Sequence, residues 1–277
     1  MANIYISKEE FEAALPVAMT KNNDVYETLT KAIRRATEEV ATEILGNVGV
    51  EAVETGEDGN LVCSAKALIS FRAFLRNFRS LDLVLTATGF GVVSTQDTAP
   101  ASKMRTDALK SQLDVEEKRM ECALFGQLFK LEGWGALPLR QSLVPTLFWQ
   151  FDFLAKYAGV DSPTINDWRK AQPLIMEADG IIRRHIGNAY MEQLLTETVT
   201  DAVSSENAKI ILLIQQLIGL HVSGDKSAEK VMYRRLMNTL DDSIDDYPAY
   251  ADSDEYKYNH FVDHENTKES TMFLFNG

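Results

Sequence analysis

The chain has 277 residues, is 45% hydrophobic and 25% charged, and carries a formal net charge of −13. A polypeptide of this size and make-up can bury a sizeable core without disulfides or metal. Its overall sign is wrong for a protein that holds nucleic acid non-specifically through Lys and Arg. The two cysteines, Cys63 and Cys122, lack ligand or redox spacing and read as reduced thiols. The opening MANIYISKEEFEAAL has no basic region followed by an apolar run, so no signal peptide is expected. The longest apolar segment, 210–222, is interrupted by Gln215 and Gln216 and is too short to span a bilayer, so no membrane partner is expected.

Helical signals come first and recur throughout. Ser7 and Glu10 have the spacing of a capping box, with Ile6 and Phe11 as its hydrophobic staple. Pro16 should end or kink that first helix. A second helix is expected from a cap at Asp24 through Val25, Leu29, Ile33, Ala36, Val40 and Ile44, with Gly46 as its left-handed stop. Residues 48–60 read as a loop or small hairpin turning at Gly56 and Gly59. A third helix covers 61–78 and carries Arg72, Arg76 and Arg79 on one face. That face is either a basic strip for DNA or an acidic partner, or a solvated face making local ion pairs.

The pattern then changes. Leu81, Leu83 and Leu85 alternate with Asp82, Val84 and Thr86, and Gly89 and Gly91 bracket Phe90 before Val92 and Val93. This predicts a β-hairpin or β-arm near 81–93. Pro100 suits the first turn of a helix running to about residue 131, with Leu109, Leu113, Met120, Leu124 and Leu128 along its inner side. Gly133, Gly135, Pro138 and Pro145 mark a connection. Further helices are expected at 147–158, from Ser162-Pro163 to near Gly187, at 189–203, at 207–222 and from near Ser227 to Asp241. The acidic stretch beyond, with the apolar residues 271–275 at its end, reads as an extended tail closing in a strand. The expected fold is mainly α: a helical bundle with a hairpin near 81–93 and a C-terminal strand near 271–275. Its expected parts are an N-terminal unit 1–132, a C-terminal unit 133–246 and an acidic tail 247–277, with one compact domain overall as the alternative.

VATEILGN (40–47) is similar to IIRRHIGN (181–188), and Ala65-Lys66 and Ala208-Lys209 each open an apolar helix. The offsets of 141 and 143 residues nearly agree, as two copies of one helical unit would require. Chance similarity between amphipathic helices gives the same match.

Chemistry is harder to find. No phosphate loop, dinucleotide glycine pattern, nucleophile elbow or zinc-helix motif is present. His260 and His264 could share a metal only on a helix, which the acidic tail does not favour. DDSIDDYPAYADSDE lacks the ligand alternation and central glycine of a calcium loop. Glu38-Glu39 and Glu116-Glu117 have no evident pocket to make them an acid and a base. Arg34-Arg35, Arg183-Arg184 and Arg234-Arg235 fit either subunit pairing or helix solubility. No catalytic residue, cofactor or metal is therefore expected.

The run LTATGFGVVSTQDTAPASKMR resembles a pattern in head-to-tail connector, or neck adaptor, proteins of tailed phages found as prophages in gut bacteria. The matching positions are Leu85, Thr86, Gly89, Phe90, Gly91, Val92, Val93, Pro100, Ala101, Ser102 and Arg105, with Phe273 and Phe275 in the terminal apolar strand. The resemblance implies a non-enzymatic virion subunit of the neck that forms a ring, expected to be twelvefold, below the portal. Its implied partners are copies of itself, portal and tail or neck proteins, and DNA passing through without sequence-specific contact. By that resemblance Leu85, Thr86, Gly89, Phe90, Gly91, Val92, Val93, Pro100, Ser102, Arg105, Phe273 and Phe275 would serve subunit contacts. This chain has a longer acidic segment before its terminal strand than that layout implies. A monomeric or dimeric helical binding or regulatory module of a phage is the competing reading.

Overall fold

A computed structural model describes residues 3–15, 25–81, 83–86, 89–92 and 103–260. The described residues are mainly α-helical. Helix α1 (Lys8–Ala14) starts at the expected capping box: Ser7 Oγ accepts from the Glu10 amide, and the Glu10 carboxylate accepts from the Ser7 amide. Ile6 and Phe11 are both buried, as the staple requires. Helix α2 (Val25–Val40) buries Leu29, Ile33, Ala36 and Val40. The cap at Asp24 lies outside the described residues.

Gly46 is not the end of this helical run. The chain passes through a π-helical turn, Ala41–Leu45, and continues at once into α3 (Gly46–Thr55). Gly46 has φ +62°, a conformation costly for any side chain, so the axis changes direction there without an intervening loop. The loop expected at 48–60 is thus mostly helix. The reading followed the turn residues Gly56 and Gly59, whereas Gly49 lets α3 press against Leu45 and Leu128. Gly56 closes α3 in the left-handed conformation, and the Asp58 side chain caps α4 (Gly59–Asn77).

A 3-10 turn, Phe78–Ser80, leads to strands β1 (Leu83–Thr86) and β2 (Gly89–Val92). They form a two-stranded antiparallel ladder. Helix α5 (Lys103–Leu128) follows, burying Leu113, Leu124 and Leu128. The C-terminal strand expected near 271–275 lies outside the described residues.

The middle connection does more than link. Trp134 is fully buried, donates from Nε1 to the Ile44 carbonyl at 3.1 Å, and packs beside Phe125 and Phe129. Helix α6 (Pro138–Leu143) begins with its proline in the first turn. The helix expected at 147–158 shrinks to α7 (Phe153–Ala158). Before it, Leu147, Phe148 and Phe151 are buried without helical backbone. Gln215 Nε2 donates to the Leu147 carbonyl, and Thr146 Oγ1 accepts from the Phe148 amide, which satisfies part of this buried chain.

Helix α8 (Ile165–Ile186) is opened by a Thr164–Asp167 capping box just after the expected Ser-Pro start and ends at Gly187. Then come α9 (Asn188–Val199), α10 (Ser205–Ser223) and α11 (Lys226–Asp242). The segment expected as extended from 247 forms α12 (Pro248–Ala251) and α13 (Asp254–Asn259). Charge counting overlooked its tyrosines. Tyr250 is fully buried beside Tyr190, and its hydroxyl donates to Asp241 at 3.0 Å.

The two halves run the same course. Helix α4 and helix α10 each have 19 residues and lie at the centre of a set. Around α4 pack α1, α2 and α5; around α10 pack α7, α8 and α11, in the same chain order. Both sets turn directly from the long second helix into the next at a positive-φ glycine, Gly46 (φ +62°) or Gly187 (φ +89°). These are the glycines of the VATEILGN and IIRRHIGN match.

Candidate functional site

The ladder gathers much of the motif that carries the resemblance. Its register pairs Leu83 with Val92, Val84 with Gly91, Leu85 with Phe90 and Thr86 with Gly89. Leu85, Thr86, Gly89, Phe90, Gly91 and Val92 therefore share one small sheet. Arg105 is exposed in the first turn of α5. Val93, Pro100, Ala101, Ser102, Phe273 and Phe275 lie outside the described residues. Within the described remainder of the chain, β1 packs chiefly against the turn Phe78–Ser80.

The arginine face of α4 is not a free basic strip. Arg72 is buried and makes ion pairs to Glu117 at 2.7 Å and Glu121 at 2.8 Å. Arg76 pairs with Glu39, and Arg79 pairs with Asp107 at 2.9 Å. These contacts join α4 and the 3-10 turn after it to α2 and α5, so the arginines that sequence spacing offered to a partner neutralise carboxylates of the same chain. Of the arginine doublets, Arg35 pairs with Glu39, and Arg183 bridges Asp179 and Glu192. Such acid partners lie far apart in sequence for Arg72 and Arg79, which is why spacing alone could not find them.

A cleft of about 340 Å³ opens between α8, α10 and α11. Ala178, Ile182 and Leu217 form its apolar floor, and His221, Lys230 and Tyr233 lie among its polar lining. His221 is buried, with Nδ1 2.7 Å from Glu229 Oε1. Burial pushes the Glu229 carboxyl up, but bonds from His221 and Lys226 outweigh this and hold it below its usual range. Burial, with Asp241 adding to it, raises the Tyr233 phenol. Sequence reading missed this cleft because its walls come from three helices.

The described residues hold no group of three or more His, Cys, Asp or Glu side chains placed to share a metal ion. His260 stacks on Tyr256 and lies 3.6 Å from Asp241. His264 lies outside the described residues. Among the described residues no helix is long and apolar enough to cross a membrane.

A family model described as a family of unknown function (DUF6712) matches residues 26–119. That stretch begins in α2, takes in the β1–β2 ladder and ends within α5. No curated protein and no solved structure matches the chain.

Proposed function

We propose that this chain is a non-catalytic assembly subunit of a tailed-phage virion, a head-to-tail connector that forms a ring below the portal. One observation carries the reading: the motif that resembles connector proteins coincides with an antiparallel ladder set into an otherwise helical body. A two-stranded ladder by itself is marginally stable in water and gains from a third strand or a packed face. Its outer edges offer backbone donors and acceptors of the kind that strand addition uses. Residues 271–275 (TMFLF) have the composition to supply such a strand, within a subunit or from a neighbour. The net charge of −13 suits a channel wall along which DNA slides without sticking.

The test is direct imaging. The purified chain, alone and with portal, is examined by negative-stain microscopy and by light scattering after size exclusion. Closed rings of uniform subunit number are expected. A species that stays monomeric or dimeric under every condition, portal included, overturns the proposal and favours the binding-module reading.

A further inference from the structure

Helix α11 carries its charges in the wrong order for a helix standing alone. Its cations, Lys226, Lys230, Arg234 and Arg235, come before Asp241 and Asp242, which lie in a last turn without any basic residue. Asp245 and Asp246 follow at once in the 3-10 turn Ile244–Asp246. Unpaired carbonyls make the C-terminal end of a helix negative, so carboxylates there are repelled. Glu229 in the first turn is the one favourably placed charge, and it is already bound to His221 and Lys226. Helix α8 shows the favourable order in the same chain, with Asp167 in its first turn and Arg183, Arg184 and His185 in its last.

Spacing is the second observation. The doublets Arg234-Arg235 and Asp241-Asp242 are seven residues apart, so each aspartate lies two turns along the line of its arginine. Leu236 and Leu240 face the core. Arg234, Arg235, Asn238 and Asp242 are exposed on the other side, Asp241 is half-buried, and Asn238 stands midway between the doublets. Val231 on the same side is 65% exposed. Arg72, Arg76, Arg79 and Arg183 all pair within the chain. Lys230, Arg234, Arg235, Asp242, Asp245 and Asp246, by contrast, make no ion pair among the described residues. Asp241 uses Oδ1, which accepts from Tyr250 and lies 3.6 Å from His260 Nε2.

We infer that the outer face of α11 is a self-association surface whose partner is α11 of a second copy, laid antiparallel about a two-fold axis at Asn238. Each doublet then keeps to its own flank: Arg234 lies opposite Asp241 of the second copy, and Arg235 lies opposite Asp242 of the second copy. Lys230 points toward Asp245 and Asp246 of the second copy. In a two-fold contact every pair occurs twice. The charge order that is unfavourable within one helix thus becomes favourable across two, because each acidic last turn meets the cations of the other copy. Exposed pairs of this kind are individually weak and screened by salt, so the contact is reversible and salt-sensitive. A two-fold contact closes on itself and cannot extend round a ring. It is therefore independent of the ring reading, and rings that carry it pair face to face.

The experiment is sedimentation velocity of the full chain over a concentration series in low and high salt, with circular dichroism and melting as fold controls. The wild-type chain should self-associate, less so as salt rises. Arg235→Glu and Asp242→Arg change exposed residues, and each should weaken association roughly tenfold by setting like charges opposite one another twice. An equal mixture of the two variants separates this contact from any effect on folding. In the mixed pair the introduced glutamate faces the introduced arginine and native Arg235 faces native Asp242, so association should return to the wild-type level. In a Cys63→Ser background, Asn238→Cys should cross-link to its own copy on oxidation. A wild-type chain that does not self-associate in low salt, or a mixture no tighter than either variant alone, overturns the contact. Neither result decides the ring reading, which imaging with portal tests separately.

Discussion

Gly219 gives the sharpest check on the helical core. It lies where α10 crosses the end of α7, and a Cβ placed on it would come within 2.5 Å of Tyr157 Cβ and 2.6 Å of that residue's carbonyl carbon and oxygen. Two of those atoms are backbone and cannot rotate away. Overpacking of this kind costs about 3 kcal/mol. Alanine in place of glycine inside a helix returns about 1 kcal/mol, which leaves a net loss of roughly 2 kcal/mol. At 2–4 °C per kcal/mol, Gly219→Ala should melt roughly 4–8 °C below wild type. Gly180 is the control: it is an exposed residue inside α8, and an added Cβ there meets nothing within 4 Å. Gly180→Ala should melt about 2–4 °C above wild type. Thermal and urea unfolding followed at 222 nm measure both. Equal stability of Gly219→Ala and wild type would show that α10 and α7 do not meet at this distance and would refute the packing argument.

Arg72→Ala removes the buried partner of Glu117 and Glu121 and should cost about 3 kcal/mol in urea unfolding. Arg35→Ala breaks a pair whose arginine is largely exposed and should stay within about 0.5 kcal/mol of wild type. Burial of Asp179, only partly offset by Arg183, raises its carboxyl above the usual range, and its Oδ1 is buried without a hydrogen-bond partner. A carboxyl raised on folding favours the native state at low pH and loses that contribution as pH rises through its folded value. Asp179→Asn should therefore melt above wild type at pH 7, with the gap narrowing toward pH 3; an unchanged gap would contradict the sign. Burial pushes the Cys122 thiol up to about 11, whereas Cys63 is exposed. A thiol reagent at pH 8 should label Cys63 promptly and Cys122 only in denaturant, as read by mass spectrometry of the labelled peptides.

Sequence and tertiary structure divided the work along a physical line. Wherever the cause of an element is local, the residues reveal it: the Ser7–Glu10 box, the apolar spacing of Val25 to Val40, and the inner side of α5 at Leu113, Leu124 and Leu128 are all set within a few turns. Both glycines stand in similar octapeptides, yet Gly46 reads locally as a helix stop, and only the structure shows the chain continuing straight into α3 there. Local reading misplaced residues 48–60 and 147–152, where Gly49 against Leu128 and the Gln215 bond to Leu147 choose the backbone. It also left Arg72, Arg76 and Arg79 unassigned, because their carboxylate partners come from α2 and α5. The cleft beside Leu217 is a product of three helices meeting and has no signature in any one of them. Periodicity and capping are short-range and survive in the sequence; ion pairing across helices, close crossings and cavities depend on which surfaces meet, and only the packed chain decides that.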